Sequence, residues 1–452
     1  MEPFRYHVFI CNQQKPEGVP GCCARGAQKV IDALRRELGV RGLDDQVQIT
    51  TCGSLGLCES GPNMVVYPEG VWYSGLKPED VREIVESHFV NGKPVARLVR
   101  ENAGELKAEI TMNRNRYVAS LKARDAAGML PEDVDQRIKS FWESRAILTA
   151  IELDIFTAVG NGGTAEQVAQ KLGTNARATE MLLNVLVGME LLKKGGEMYV
   201  NTATSSRFFR DGSPDNTRMS LMHSVNLWDT WSTLTECIRQ GTSVRRAAGV
   251  ARDEQQTKAF IAAMHRNARE RASVVIRAVG LDRVSRMIDL GGGSGAYSIA
   301  FAEAKPDLKV TLLDVPEVLP LTTEYVKEAG VSDRVTFTPG DLRTDKFGSG
   351  YDLALLSAIC HMFGVEQNKD LLRRAYEALS DGGRLVIQEF ILEPDKTKPL
   401  FAALFSLNML VGTEKGSSYS SEEYSKWLRD AGFRDVKQVR LPGPTGLMIG
   451  TK

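Results

Sequence analysis

Residues 285–295 read Ser-Arg-Met-Ile-Asp-Leu-Gly-Gly-Gly-Ser-Gly, and no other stretch constrains the fold so tightly. An apolar run ends in Asp289, turns through Gly291, Gly293 and Gly295, and enters a helix that begins Ala-Tyr-Ser-Ile-Ala. Glycines lack Cβ atoms, so the backbone there can turn tightly and approach a bound ligand. This is a strand-to-helix step of an α/β sheet. Gly291-x-Gly293-x-x-Ala296 also satisfies the dinucleotide fingerprint, so the glycines alone leave the ligand open. The next two strands narrow it. Lys309-Val-Thr-Leu-Leu-Asp314 ends in an acid 19 residues after Gly295, placed for ribose hydroxyls. Val335-Thr-Phe-Thr-Pro-Gly-Asp341 ends in a third acid. A pyrophosphate would be repelled by Asp289 and would seek a bare helix N-terminus. Acids at three successive strand ends suit a cationic nucleoside without phosphate.

S-Adenosylmethionine fits that description, with its ammonium, sulfonium, ribose and adenine. On these motifs the C-terminal part, residues 251–452, resembles the class I methyltransferases, which are Rossmann-like. The resemblance implies that Asp289, Gly291, Gly293 and Gly295 cradle the cofactor and that Asp314 binds the ribose. It places Asp341, with Leu342, near the adenine. After Ser421 to Ala431, a helix, the strands Asp435-Val-Lys-Gln-Val and Gly446-Leu-Met-Ile-Gly resemble the antiparallel terminal hairpin of that family.

The fourth strand, Tyr351 to Cys360, delivers His361 at its C-terminal end, the edge where ligands of open α/β sheets sit. Methyl transfer from a sulfonium asks the protein for alignment and for control of the nucleophile's charge. A phenol ionises near pH 10, so at neutral pH it needs a base, a role an imidazole suits. Ahead of this, apolar residues recur at helical spacing from Ile138 to Phe156. Thr164-Ala-Glu-Gln167 reads as a capping box opening a helix over Ala165 to Leu172. A longer helix, Ala176 to Leu192, and a short strand, Met198-Tyr-Val, complete a winged helix. Residues 177–189 are mostly apolar with one arginine, which suits burial against a partner better than phosphate contact.

A winged helix ahead of a methyltransferase fold resembles the dimeric small-molecule O-methyltransferases, of caffeate and acetylserotonin type. That resemblance implies a dimerisation domain over 136–250 and a homodimer. It makes His361, in Ile359-Cys360-His361, the catalytic base. It makes Glu389, ending Leu385-Val-Ile-Gln-Glu, the carboxylate that orients that base. Met222, Trp228, Trp231, Phe260 and Met264 fall where pocket residues are expected, as do Phe401, Phe405, Asn408 and Met409. Two positions depart from the pattern. Met362-Phe363 stands where plant enzymes have Asp-Trp, and Ser418 replaces a second Glu.

Five of seven cysteines fall within the first 58 residues, which points to metal or cluster ligation more than to disulfides in a reducing compartment. Residues 1–100 read as a small α/β unit. Its strands are His7-Val-Phe-Ile, Gln46 to Thr51 and Met64-Val-Val-Tyr; its helices run from Gly26 to Leu38 and from Pro78 to Phe89. Cys22-x-x-Arg-Gly, Leu55-Gly-Leu-Cys58-x-x-Gly-Pro and Val65-Val-Tyr-Pro-Glu-Gly-Val-Trp-Tyr resemble the thioredoxin-like [2Fe–2S] ferredoxins. Such a cluster needs four thiolates. The resemblance supplies Cys11, Cys22 and Cys58. Its usual fourth position is Ser54, leaving Cys52, or else Cys23. A cluster-free domain kept for packing or dimer contacts is the alternative. Residues 101–135, rich in charge, read as a partly helical linker.

Lys+Arg and Asp+Glu both total 57, so there is no broad electrostatic case for nucleic acid. The N-terminus shows no secretory signal, and the longest apolar run, Leu400 to Val411, is too short to cross a bilayer. The expectation is a cytoplasmic enzyme that methylates a hydroxyl of a small, aromatic acceptor. Its fused domain would have a redox, regulatory or assembly role, with a redox partner for the cluster. The alternatives are cluster-assisted redox chemistry, thiol or metalloid methylation, and a redox-responsive DNA-binding regulator.

Overall fold

The structure is a computed structural model that describes residues 3–15, 21–247 and 253–452. The expected boundary between residues 250 and 251 lies outside the described residues. Two compact units are present, residues up to Phe141 and Trp142–Lys452.

In the first unit, β1 (Tyr6–Cys11), β2 (Val47–Cys52), β3 (Met64–Tyr67) and β4 (Val71–Tyr73) form one sheet in the order β2-β1-β3-β4. β1 and β2 run parallel across a helix, Ala27–Arg41; β3 is antiparallel to β1, and β4 to β3. Val30, Ile31, Leu34 and Leu38 recur at helical spacing and bury against Val8, Ile10 and Val66 of the strands. The closing segment expected as one helix from Pro78 to Phe89 is a 3₁₀ turn, a single α turn and a π turn in succession.

The segment expected as a partly helical linker is mostly helix. Ala103–Ala126 is one helix of 24 residues, capped by Asn102, whose side chain accepts from the Gly104 and Glu105 N–H groups. Asn113, a weak helix former, donates from Nδ2 to the Gly56 carbonyl at 2.7 Å. Arg116–Glu59 and Arg100–Glu109 pair at 2.8 Å each. These contacts, two of them to the Cys58 loop and one to Arg100 just ahead of the helix, supply what intrinsic propensity lacks.

In the second unit, Thr164 and Gln167 form the reciprocal capping box ahead of helix Ala165–Leu172. Helix Ala176–Gly188 ends four residues earlier than expected. Glu190 takes φ 58°, which breaks the helix, and β5 (Leu192–Gly195) then pairs antiparallel with β6 (Met198–Asn201). The wing is therefore a hairpin.

The main sheet has seven strands. They are β7 (Arg286–Leu290), β8 (Lys309–Asp314), β9 (Val335–Pro339), β10 (Tyr351–Ser357), β11 (Leu379–Glu389), β12 (Arg434–Arg440) and β13 (Gly446–Thr451). Their order is β12-β13-β11-β10-β7-β8-β9, parallel except that β13 is antiparallel to both β11 and β12. One buried cluster packs Leu371, Tyr424 and Trp427 on Ile288, Leu356 and Ile387; another packs Val275 and Phe301 on Met287, Val310 and Leu355. Alternate residues of each strand thus face opposite layers. The chain leaves β7 toward β8 and β9, then returns to β10 on β7's other side. That reversal opens a crevice at the C-terminal ends of β7 and β10. Among the described residues no helix is long and apolar enough to cross a membrane.

Candidate active site

The glycine loop lies on one wall of this crevice. Gly291, Gly293 and Gly295 take φ of 75°, 56° and 74°, the left-handed region that glycine occupies without steric cost. A Cβ on Gly291 would sit 2.4 Å from Ile359 Cδ1 and 3.0 Å from Leu342 Cδ1, so this turn has no room for a side chain. Asp289 is almost fully buried, and its Oδ2 accepts from Ser298 Oγ at 2.7 Å. Burial raises its carboxyl to about 6, with Ser298 opposing and the Asp314 charge reinforcing. Asp314 accepts from the Gly293 and Val315 N–H groups, both at 2.7 Å, so it fastens the loop to the end of β8. Burial raises its carboxyl too, against those two donors.

Asp341 is turned toward Arg343, which pairs with it at 2.6 Å and holds its carboxyl below the usual range. Leu342 sends its side chain toward Gly291.

His361 is not on the strand itself. β10 ends at Ser357, Ala358 takes φ 57°, and Cys360–Met362 form a 3₁₀ turn that carries the ring. His361 Nδ1 lies 2.8 Å from Glu389 Oε2, and its backbone N–H donates to Glu389 Oε1 at 3.2 Å. Glu389 is 1% exposed at the end of β11, so ring and backbone are both fixed by one buried carboxylate. Nε2 has no hydrogen-bond partner among the described residues. Phe405 meets the imidazole edge-on at 4.9 Å between centroids, and Phe390 packs on Phe405 at 4.3 Å.

Ser418 is buried beside this group: the Ser417 N–H donates to the His361 carbonyl at 3.0 Å, and Ser418 Oγ has no partner. No carboxylate stands in its place. Of the other expected pocket residues, Trp231 Nε1 donates to Asn408 Oδ1 at 2.8 Å. Phe260 stands edge-on to His223 at 5.3 Å.

One residue carries no sequence signal. His265, on helix Glu254–Val279, bonds Ser294 Oγ of the glycine loop through Nδ1 at 2.9 Å. Its ring stacks on Tyr325 at 4.0 Å, and burial, with Arg269 adding, lowers it to about 4.

In the first unit the expected cluster cysteines stand in pairs. Cys11 and Cys52 are register partners on β1 and β2. The neighbouring Cys22 thiol lowers Cys11 to about 6, opposed by burial and helped by the Gln13 and Leu55 N–H groups, while Cys11 and burial raise Cys22. Asn63 Nδ2 donates to Cys22 Sγ at 3.4 Å, and Lys15 Nζ to Cys58 Sγ at 2.8 Å. Ser54 Oγ lies 3.4 Å from Cys58 Sγ. Among the described residues no three His, Cys, Asp or Glu side chains gather closely enough to hold a single metal ion.

Sheet order, glycine loop and strand-end acids together define a methyltransferase fold of the S-adenosylmethionine-dependent class. Comparison with known proteins gives the family. An O-methyltransferase domain model matches residues 231–434, and an O-methyltransferase dimerisation domain model matches residues 136–211. A 3-hydroxy-5-methyl-1-naphthoate 3-O-methyltransferase from Streptomyces sahachiroi is 33% identical, over 69% of this chain and 92% of its own. Two solved structures are each 26% identical. PigF with SAH covers 72% of this chain and 100% of its own at TM-score 0.67. Human N-acetylserotonin methyltransferase in complex with SAM covers 71% and 96% at TM-score 0.63. The chain belongs to the S-adenosylmethionine-dependent O-methyltransferase family, with a helical dimerisation domain ahead of the α/β domain.

Proposed function

We propose that the protein methylates a hydroxyl of a small aromatic acceptor, with His361 as base and Glu389 as its orienting carboxylate. The carrying observation is the buried 2.8 Å pair between His361 Nδ1 and Glu389 Oε2 at the mouth of the crevice. Bound S-adenosylmethionine would supply an electrophilic methyl on a sulfonium, a good leaving group. The chain's residues supply the rest. Glu389 holds Nδ1–H, leaving Nε2 to take the hydroxyl proton as the oxygen–methyl bond forms and the sulfur–methyl bond breaks. Phe405 and Phe390 offer an apolar wall that excludes water. Asp289, Gly291, Gly293, Gly295 and Asp314 would hold the cofactor, with Asp341 and Leu342 at the adenine end. The names of the hydroxynaphthoate and acetylserotonin enzymes support an aromatic acceptor. The test is product analysis: one S-adenosylhomocysteine per methylated acceptor is expected. Tight nicotinamide or flavin uptake without affinity for S-adenosylmethionine would defeat the reading.

Asp289 gives this site a pH signature. A carboxyl raised to about 6 holds its proton more firmly in the folded chain than in the unfolded one. In the unliganded protein its contribution to stability is therefore present at low pH and is lost as pH rises from about 4 through about 6. A cationic ligand favours the ionised form, so binding below pH 6 must release that proton. The expected Kd for S-adenosylmethionine weakens by up to about ten-fold per unit below pH 6 and is flat above it. Calorimetry in two buffers of different ionisation enthalpy reads both effects. A flat profile from pH 5 to 7.5 would exclude a proton on Asp289.

A homodimer is part of the same reading. The dimerisation-model match supports it, as do the exposed apolar side chains Met181, Val185, Met198 and Val200.

For the first unit we propose a [2Fe–2S] cluster on Cys11, Cys22, Cys52 and Cys58. Four thiolates over two irons means two apiece, so paired thiols are the right donor arrangement. Cys52 is the register partner of Cys11 across β1 and β2, which favours Cys52 over Cys23 as the fourth ligand. N–H donors at Cys11 and Cys22 and the Lys15 ammonium at Cys58 suit sulfur atoms bearing negative charge. Such a cluster would exchange one electron, giving the unit a redox or regulatory role with a redox partner. Anaerobic reconstitution should give two irons and two sulfides per chain with visible absorption, abolished in Cys22→Ser. A colourless, iron-free product would end the proposal.

A further inference from the structure

The mechanism uses the crevice at His361 and leaves a second cavity without a role. It has a volume of about 90 Å³ and lies among helices Arg218–Trp231, Val244–Ala247, Glu254–Val279 and Leu400–Gly412. The last of these helices joins the two places. Phe405 touches the His361 ring, whereas Val411 and Gly412 line the cavity. At 1.5 Å of rise per residue Val411 lies about 9 Å along this helix from Phe405. Between them the Trp231–Asn408 bond ties the helices together.

The lining is cationic. Arg245 and Arg246 contribute guanidinium groups, His223 an imidazole, Asn226 and Gln256 amides, and among the described residues no carboxylate lines it. Neither arginine has a carboxylate partner among the described residues, although neighbours such as Arg239 and Arg266 pair with Glu236 and Glu270. Arg246 Nε reaches only the Gly412 carbonyl, at 3.4 Å. Gln256 Oε1 is taken by the Asp253 N–H in the helix cap, which leaves its amide hydrogens as donors. Two adjacent guanidinium groups thus border a concavity without a carboxylate partner among the described residues, in a chain with 57 charges of each sign. Guanidinium binds carboxylate by paired, charge-assisted hydrogen bonds. The volume is below the roughly 150 Å³ of a cavity that holds benzene, so it suits a carboxylate group better than an aromatic ring.

We infer that this cavity is a carboxylate subsite and that the acceptor is a hydroxylated aromatic acid. Its hydroxyl reaches His361 while its acid group lies against Arg245 and Arg246. The inference rests on the methyl-transfer reading, and the test separates the two.

Full-length protein loaded with S-adenosylhomocysteine would be titrated with 6-hydroxy-2-naphthoate and with 2-naphthol. The acid should bind at least about ten-fold more tightly, and more weakly as salt rises. Arg245→Gln and Arg246→Gln should each weaken the acid by about ten-fold and leave naphthol within about two-fold. No binding of the acid, equal affinity for both ligands, or equal loss for both in the variants overturns the subsite. Turnover with S-adenosylmethionine is read separately. Arginine-dependent binding of the acid with no S-adenosylhomocysteine formed keeps the subsite and removes the methyl-transfer reading. Equal methylation of both acceptors, indifferent to Arg245→Gln, does the reverse.

Discussion

Replacing His361 by alanine is expected to lower kcat on a phenolic acceptor by about 10²- to 10⁴-fold, the span a positioned general base contributes. The cofactor's Kd should stay within about two-fold, because His361 bonds to Glu389 and Ser417 and makes no hydrogen bond to the glycine loop. The cause is specific: one buried carboxylate, Glu389, holds both the ring and the backbone of His361, so the imidazole has a defined nitrogen to offer. Glu389→Gln keeps an acceptor for the backbone N–H and removes the charge, and its loss should be smaller, about 10- to 100-fold. A base and a purely structural histidine part company at high pH. Above pH 9 a phenol ionises unaided, so the His361→Ala deficit should shrink as pH rises. A variant that keeps full turnover at pH 7, or whose deficit ignores pH, would remove His361 from the chemistry.

Glu389, at the end of β11, came through the family pattern, whereas His361 could be found in the sequence because it follows an apolar strand, and strand ends of an open α/β sheet converge on one edge. The same logic exposed Asp289, Asp314 and the glycine loop, where left-handed φ values at Gly291, Gly293 and Gly295 answer to a one-residue alphabet. Contacts between distant segments had no such signature. The bond from His265 to Ser294 spans 29 residues and depends on how a long helix lies across the sheet. The helix Ala103–Ala126 looked like a linker because its composition is charged and holds two asparagines. It is steadied by Gly56, Glu59 and Arg100, none of which announces a helix docked upon it. The early end of helix Ala176–Gly188 turns on one non-glycine residue, Glu190, in a left-handed conformation that sequence patterns do not flag. The arginine-lined cavity draws on four helices, so only their packing brings Arg245 and Gln256 beside Val411.

Asp314→Ala should act on the cofactor and spare the chemistry. The carboxylate accepts two short bonds, from the Gly293 and Val315 N–H groups, so it both shapes the glycine loop and presents its edge to the crevice. Removing it leaves two backbone donors without that partner and removes a negative acceptor for ribose hydroxyls. Hydrogen bonds to a charged group contribute roughly 1.5–3 kcal/mol each. Loss equivalent to one or two of them raises the Kd for S-adenosylmethionine by about 100-fold. At saturating cofactor kcat should fall by no more than about three-fold, since His361, on the turn after β10, and Glu389, at the end of β11, make no hydrogen bond to Asp314. Asp314→Asn retains one acceptor oxygen and should lie between the two. The pattern is the converse of His361→Ala: one variant moves affinity at constant turnover, the other turnover at constant affinity. Unchanged cofactor affinity in Asp314→Ala, measured by calorimetry on protein with an unaltered melting temperature, would show that the end of β8 is not where the nucleoside binds.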